Sequence, residues 1–174
     1  MPEIFVDPQK ILQRIEIKPD FIVAEFGAGS GSFAIPLARK LEDGRLYAFD
    51  IQSEVLSVLK TKAEAEGLVN IETRVCDLEE PEATRLANES IDLVTIPNVL
   101  FQIQKKEQVL KEAARILKKN GRVLIIDWLP NIPFGPKGER VDPLFLKRIA
   151  KNLNLELESE FAAGNYHFGM IFLK

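Results

Sequence analysis

The 174-residue sequence has little of several residue types on which common kinds of protein depend. It contains one cysteine, Cys76, so no disulfide can form within the chain. It also contains one histidine, His167. Neither a catalytic triad nor a cluster of metal ligands is apparent, and we expect no metal. A single free thiol fits a reducing compartment, so we predict a cytoplasmic protein.

The chain also lacks long apolar runs and an excess of charge. No run approaches the length of a membrane span, and the first residues lack the pattern of a signal peptide. The formal net charge is −3, so no global basic field would attract nucleic acid. What is present is an apolar fraction of 46%, which suffices for a buried core. We predict one domain over residues 1–174, with residues 1–18 as an N-terminal helical extension.

One stretch, F-I-V-A-E-F-G-A-G-S-G-S-F at residues 21–33, organises the chain. A short apolar run ends at Glu25-Phe26, and glycines alternate with Ala28 and Ser30 before a helical pattern begins at about residue 32. Alternating glycines let the backbone turn sharply and approach a ligand closely. A dinucleotide fingerprint would have its third glycine one residue later. The alternative is a tight strand-to-helix turn without a ligand.

With Glu25 two residues before Gly27, this spacing resembles the first motif of the class I S-adenosylmethionine-dependent methyltransferases. The resemblance implies that S-adenosylmethionine is the cofactor. It also implies that the loop passes beneath the sulfonium and the amino-acid tail of that molecule. The implied contacts in this stretch are Glu25, Gly27, Ala28, Gly29 and Gly31.

Two further acids follow predicted strands. Asp50 ends the strand at residues 45–49, about 20 residues past the glycines, where Rossmann-like folds place a ribose-binding carboxylate. The resemblance implies that Ile51 then lies against the adenine, and that Asp77 and Leu78, just past the strand at residues 70–75, also contact it. The alternatives are that Asp50 caps the next helix and that Asp77 begins one.

The segment 97–102 follows a fourth predicted strand at residues 90–96 and reads Pro-Asn-Val-Leu-Phe-Gln. It is similar to the Asn-x-Leu-x-x pattern of the ubiquinone and small-molecule methyltransferases. That similarity implies a cofactor contact at Asn98. Those enzymes usually carry histidine after the leucine, whereas this chain has Phe101 and Gln102, so the acceptor stays open.

The rest of the chain completes the pattern of that family. A helix at residues 105–118, a strand at 122–127, a helix from Asp142 to Leu153 and a terminal hairpin are predicted. We therefore expect an α/β, Rossmann-like sheet of seven strands in the order 3-2-1-4-5-7-6. Strand 7 would be antiparallel, and helices would cover both faces.

Two further features lie near the expected active edge. Residues 128–140 are rich in proline and glycine and suggest a substrate lid that carries Trp128, Phe134, Lys137 and Arg140, with Gly135 and Gly138 as hinges. His167 and Tyr166, at the start of the last strand, are the candidates for a general base. The alternatives are a well-packed connection and a structural histidine with satisfied hydrogen bonds.

The resemblance implies methyl transfer from S-adenosylmethionine to a small-molecule acceptor. Three alternatives remain: a methyltransferase that acts on tRNA or protein, a nicotinamide-dependent oxidoreductase, and a cofactor-binding protein without activity. The acidic balance disfavours macromolecular acceptors. An oxidoreductase should show the dinucleotide spacing of glycines and no terminal hairpin.

Overall fold

The structure is a computed structural model that describes residues 6–133, 135–137 and 139–174. The described residues form a sheet of seven strands in the order β3-β2-β1-β4-β5-β7-β6. Strand β7 is antiparallel to both of its neighbours, while β1 to β5 are parallel to one another. The predicted fold is therefore confirmed. The strands are β1 Ile22–Phe26, β2 Arg45–Asp50, β3 Ile71–Val75, β4 Ile91–Pro97, β5 Leu117–Trp128, β6 Glu156–Ala162 and β7 His167–Leu173.

Five α-helices and one short 3₁₀-helix connect the strands in the described part of the chain. Helices α1 and α5 each begin with an Asp-Pro pair, in which the aspartate side chain accepts from backbone N–H groups and proline occupies the first turn. The helices are α1 Pro8–Leu12, α2 Ala34–Lys40, α3 Ser53–Ala65, α4 Lys106–Ile116 and α5 Pro143–Asn152, with the 3₁₀-helix at Leu100–Gln102.

The central strands are buried on both faces. Alternate side chains of a strand point to opposite sides, so neighbouring residues enter different cores. In β5, Val123 and Ile125 belong to one apolar cluster with α4 and α5, whereas Leu124 and Ile126 belong to a second with α1, α2 and α3. Covering both faces leaves the strand ends as the open edge, which is where ligands bind in sheets of this kind.

Strand β5 differs from the expectation. It begins at Leu117, earlier than the predicted residue 122, because the chain leaves α4 directly into pairing with β4 (Ile91 with Leu117). The register then shifts around Asn120, which has a φ of 65°, and regular pairing resumes between Leu93 and Arg122. Residues 119–121, between the predicted helix and the predicted strand, are therefore an irregularity inside a strand.

The terminal hairpin forms as predicted. Because β7 runs antiparallel to β5, its first residue, His167, pairs with the last residue of β5, Trp128. This register brings the start of β7 to the carboxyl edge of the parallel strands. Among the described residues, no helix has both the length and the apolar character needed to cross a membrane.

Candidate functional site

A cavity of about 720 Å³ opens at the carboxyl edge of the sheet. Its size is in the ordinary range of small-molecule and cofactor sites, about 300–1,000 Å³. Gly31 and Tyr166 are not among its described lining residues. The predicted site residues that line it are Glu25, Gly27, Ala28, Gly29, Asp50, Ile51, Asp77, Leu78, Asn98 and His167.

The three loop glycines all have positive φ values, 75° at Gly27, 51° at Gly29 and 98° at Gly31. Side chains would meet different surroundings at the three positions. An added Cβ would lie 2.7 Å from the Val99 Cβ at Gly27 and 2.6 Å from the Leu59 Cδ1 at Gly31. At Gly29 it would meet nothing within 4 Å. Packing thus explains Gly27 and Gly31, whereas Gly29 borders the open cavity.

Asp50 ties this loop to the next connection. Its carboxylate accepts from the N–H of Gly29 at 2.9 Å and from the N–H of Gln52 at 3.0 Å. The second bond fixes the turn that leads into α3, so the residue supports the helix start and the glycine loop together. Both partners are backbone groups, and the side chain still borders the cavity.

Glu25 is the most unusual group in the cavity wall. Its side chain is 1% exposed, and neither carboxylate oxygen has a hydrogen-bond partner among the described residues. Burial, together with the nearby charge of Asp50, raises the pKa of Glu25 well above its ordinary value. A buried carboxylate without a partner is costly, and such groups cluster at functional sites.

The segments that follow β2, β3 and β4 form the remaining walls around the predicted cofactor residues. Asp77 accepts from the N–H of Glu79 at 2.9 Å, and Leu78 beside it is buried. Ile51 is 62% exposed, an unusual position for a large apolar side chain. Asn98 has a φ of 53°, and its buried amide oxygen has no partner among the described residues.

The other end of the cavity is aromatic. The rings of Trp128 and His167 lie 4.0 Å apart between centroids, tilted by 42°. His167 is 2% exposed, and neither ring nitrogen has a hydrogen-bond partner in the described part of the chain. Burial, and then the positive charge of Arg140, lowers the pKa of His167 to about 4. The imidazole is therefore neutral at physiological pH.

Asp127 fixes this end of the site. It is fully buried and accepts from the N–H of Trp128 at 2.7 Å and from that of Phe101 at 3.3 Å. It thereby joins the end of β5 to the 3₁₀-helix. Burial raises its pKa to about 6 despite these hydrogen bonds.

The predicted lid residues occupy different places. Trp128 lines the cavity, whereas Lys137 and Arg140 are not among its described lining residues. The Arg140 guanidinium lies 5.1 Å from the centre of a Trp128 ring. A Cβ at Gly135 would lie 2.6 Å from the same indole. Phe134 and Gly138 lie outside the described residues.

The sequence did not indicate several lining residues. Val6 and Pro8, at the start of α1, reach the cavity, and so do Gln102 and Gln104 beyond β4. The N-terminal helix was predicted, but its approach to the cavity was not, because that depends on tertiary contacts. Gln102 ends the segment 97–102, which was predicted to concern the acceptor, and Gln104 lies two residues beyond it.

Comparisons with known proteins agree with this geometry. The model of the family Methyltransf_11, described as "Methyltransferase domain", matches residues 24–125. The chain belongs to this family of methyltransferase domains.

Two curated relatives and one solved structure illustrate the likeness. A demethylmenaquinone methyltransferase of Bacillus mycoides is 28% identical over 153 residues, which cover 83% of this chain and 62% of that protein. A ubiquinone/menaquinone biosynthesis C-methyltransferase, UbiE, of Hydrogenovibrio crunogenus is 25% identical over 64% of this chain and 44% of its own length. The chain thus spans less than two thirds of these relatives. A SAM-dependent methyltransferase structure from Aquifex aeolicus has a TM-score of 0.85 and 24% identity, covering 97% of this chain and 89% of that one; it shows the shared fold.

Proposed function

We propose that this chain binds S-adenosylmethionine in the cavity and transfers its methyl group to a small-molecule acceptor. One observation carries the proposal: Glu25, buried and without a partner, borders the same cavity as the glycine loop. The amino-acid tail of the cofactor carries an ammonium group beside its carboxylate, and a buried carboxylate gains most from a charged donor of this kind. The residues present therefore fit the cofactor.

Each predicted cofactor contact can be assigned to one part of the S-adenosylmethionine molecule. Asp50 would accept from the ribose hydroxyls while it holds the N–H of Gly29. Ile51 and Leu78 would cover the adenine, with Asp77 at its edge. The open space at Gly29 would leave room for the tail. Asn98 would contribute its unpartnered amide oxygen.

The cofactor, when bound, supplies an activated methyl group. The protein then has to orient the acceptor and exclude water, so no nucleophilic triad is needed. The two curated relatives are named as a demethylmenaquinone methyltransferase and a ubiquinone/menaquinone biosynthesis C-methyltransferase, which supports a small-molecule acceptor here. The buried free Cys76 agrees with the predicted cytoplasmic location, which remains a prediction.

Gly29→Val tests the proposal. Calorimetric titration with S-adenosylhomocysteine should show binding to the wild type and its loss in the variant, because the new side chain would project into the cavity. Gly67→Val is the matched control, since Gly67 also has a positive φ, 68°, and also has nothing within 4 Å of an added Cβ. Gly67 does not line the cavity, so its variant should bind normally.

The comparison separates backbone strain from ligand contact. Both substitutions introduce a β-branched residue at positive φ and should weaken folding to a similar degree. Equal affinity of the two folded variants would contradict the cofactor site. Tight binding of NADH by the wild type would contradict the proposed cofactor.

A further inference from the structure

The cavity has two chemically different ends, and the proposed cofactor accounts for only one. The acids and the glycine loop lie at or just beyond the carboxyl ends of β1, β2 and β3, whereas Trp128 and His167 lie on β5 and β7. In the sheet order, β7 is three strands from β1, or about 14 Å at the usual strand spacing. His167 is therefore well separated from Glu25.

His167 makes no hydrogen bond to the described residues that would explain its burial. Buried polar groups in proteins are normally hydrogen-bonded, yet neither of its nitrogens has a partner among the described residues. The indole of Trp128 holds the ring in place by contact alone. A buried, unpartnered imidazole that borders a cavity can form hydrogen bonds with whatever occupies it. The described residues therefore do not support the alternative of a structural histidine whose nitrogens are hydrogen-bonded within the protein.

The charge of the cavity limits what can bind there. Its described lining residues include four acids and neither lysine nor arginine. The acids are Glu25, Asp50, Asp77 and Glu79. An anionic acceptor would find no cation among these lining residues, since the Arg140 guanidinium, whose charge acts on His167, lies over the Trp128 ring and outside the lining.

We infer that His167 is a specificity-determining residue, which hydrogen-bonds an uncharged O–H or N–H group of the methyl acceptor while Trp128 forms the apolar wall beside it. This inference rests on the proposed function, since it assigns the acceptor end of the same cavity. The depressed pKa agrees with it, because a neutral imidazole can accept one hydrogen bond and donate another. Because the imidazole of His167 is a weak base, it is better suited to hydrogen-bonding the acceptor than to removing a proton from it.

Three naphthalene probes of similar size test the inference. In the presence of saturating S-adenosylhomocysteine, the affinities of 2-naphthol, 2-methoxynaphthalene and 2-naphthoate are measured by ligand-detected NMR. The first probe can donate a hydrogen bond, the second cannot, and the third is an anion. We expect the wild type to bind 2-naphthol at least tenfold more tightly than either of the others.

Two substitutions then connect the preference with His167. His167→Phe should bind 2-naphthol and 2-methoxynaphthalene equally, because the partner of the hydroxyl is gone. His167→Gln should retain part of the preference, since its amide can still accept and donate. Both variants should bind S-adenosylhomocysteine within about twofold of the wild type. A purely structural role would change the affinity for all three probes together.

Each other outcome overturns the inference. These outcomes are equal affinity of the wild type for 2-naphthol and 2-methoxynaphthalene, stronger binding of 2-naphthoate, no binding of any probe, or a preference that survives in His167→Phe. Failure of the wild type to bind S-adenosylhomocysteine would instead overturn the proposed function, and the inference with it. The titration with that compound distinguishes the two failures.

Discussion

Replacing Glu25 by glutamine should strengthen the folded protein and weaken the cofactor complex. The substitution keeps the shape of a side chain that is 1% exposed and removes its charge. An unpartnered buried group costs about 1–3 kcal/mol, and a charged one costs more. The glutamine amide would be unpartnered as well, so the substitution removes only the cost of the charge, and we expect Glu25→Gln to gain free energy of unfolding on the wild type as the pH rises above 4.5.

The gain should depend on pH in a defined direction. The pKa of Glu25 is raised in the folded protein above the ordinary value of 4.5, so the folded state binds the proton more tightly than the unfolded state does. Wild-type stability from this group is then present at low pH and is lost as the pH rises from 4.5 through the folded pKa. The advantage of Glu25→Gln should consequently shrink toward pH 4.5.

Cofactor affinity should change in the opposite sense. A hydrogen bond to a charged group contributes about 1.5–3 kcal/mol, which corresponds to a roughly 10- to 150-fold weaker complex with S-adenosylhomocysteine. Urea unfolding and calorimetric titration measure the two effects. Wild-type affinity in Glu25→Gln, or a loss of stability at pH 7, would refute the reasoning.

Glu112→Gln is the matched control. Glu112 is also 1% exposed, but its carboxylate accepts from Arg115 and Thr84, and these bonds hold its pKa below the ordinary value despite burial. Its substitution should lower the stability and leave the affinity unchanged. The two buried acids are thus expected to respond with opposite signs.

Three further predictions concern other parts of the cavity. Asp50→Ala should lower the affinity for S-adenosylhomocysteine at least tenfold by calorimetry, whereas Asp142→Ala, which removes only the cap of α5, should leave it unchanged. The pKa of His167 is about 4 against an ordinary 6.5, so the contribution of this residue to wild-type stability is lost as the pH falls from 6.5 toward 4. Between pH 7 and pH 4, the free energy of unfolding of His167→Gln should therefore gain up to about 3 kcal/mol relative to that of the wild type. Urea unfolding at the two pH values measures this, and a difference that does not change with pH would contradict it. Replacing both Lys137 and Arg140 by alanine should leave the affinity for S-adenosylhomocysteine within about twofold. Methyl transfer should fall tenfold or more, because Arg140 lies against Trp128 in the cavity wall. A collapse of cofactor affinity would contradict the proposed lid.

The fold could be predicted from the sequence because its signals are local. Apolar runs that end in acids mark buried strands, Asp-Pro pairs mark helix starts, and the terminal hairpin follows from its turn residues. Helix α2 illustrates the limit, since it begins at Ala34 and not at the predicted residue 32. The early start of β5 was missed because strand pairing with β4 overrides the turn signal of Asn120-Gly121.

The site was predictable to a different degree at each end. Parallel strands deliver their last residues to one edge, so Glu25, Asp50 and Asp77 could be placed together from their positions alone. Val6 and Pro8 carry no such signal. No sequence pattern could show that Glu25 and His167 lack hydrogen-bond partners. Whether a buried side chain is hydrogen-bonded depends on all the neighbours that the fold places around it.

The order of the sheet explains how these demands coexist in one cavity. Glu25 favours a cation, whereas the neutral His167 gains most from an uncharged partner with a polar hydrogen. Had the chain placed β7 beside β1, the carboxylate could have bonded the imidazole, and each group would have satisfied the other. With β4 and β5 between them, both remain available in the described structure. The free energy that these two unpartnered side chains cost the folded protein is free energy that ligands can recover when they bind.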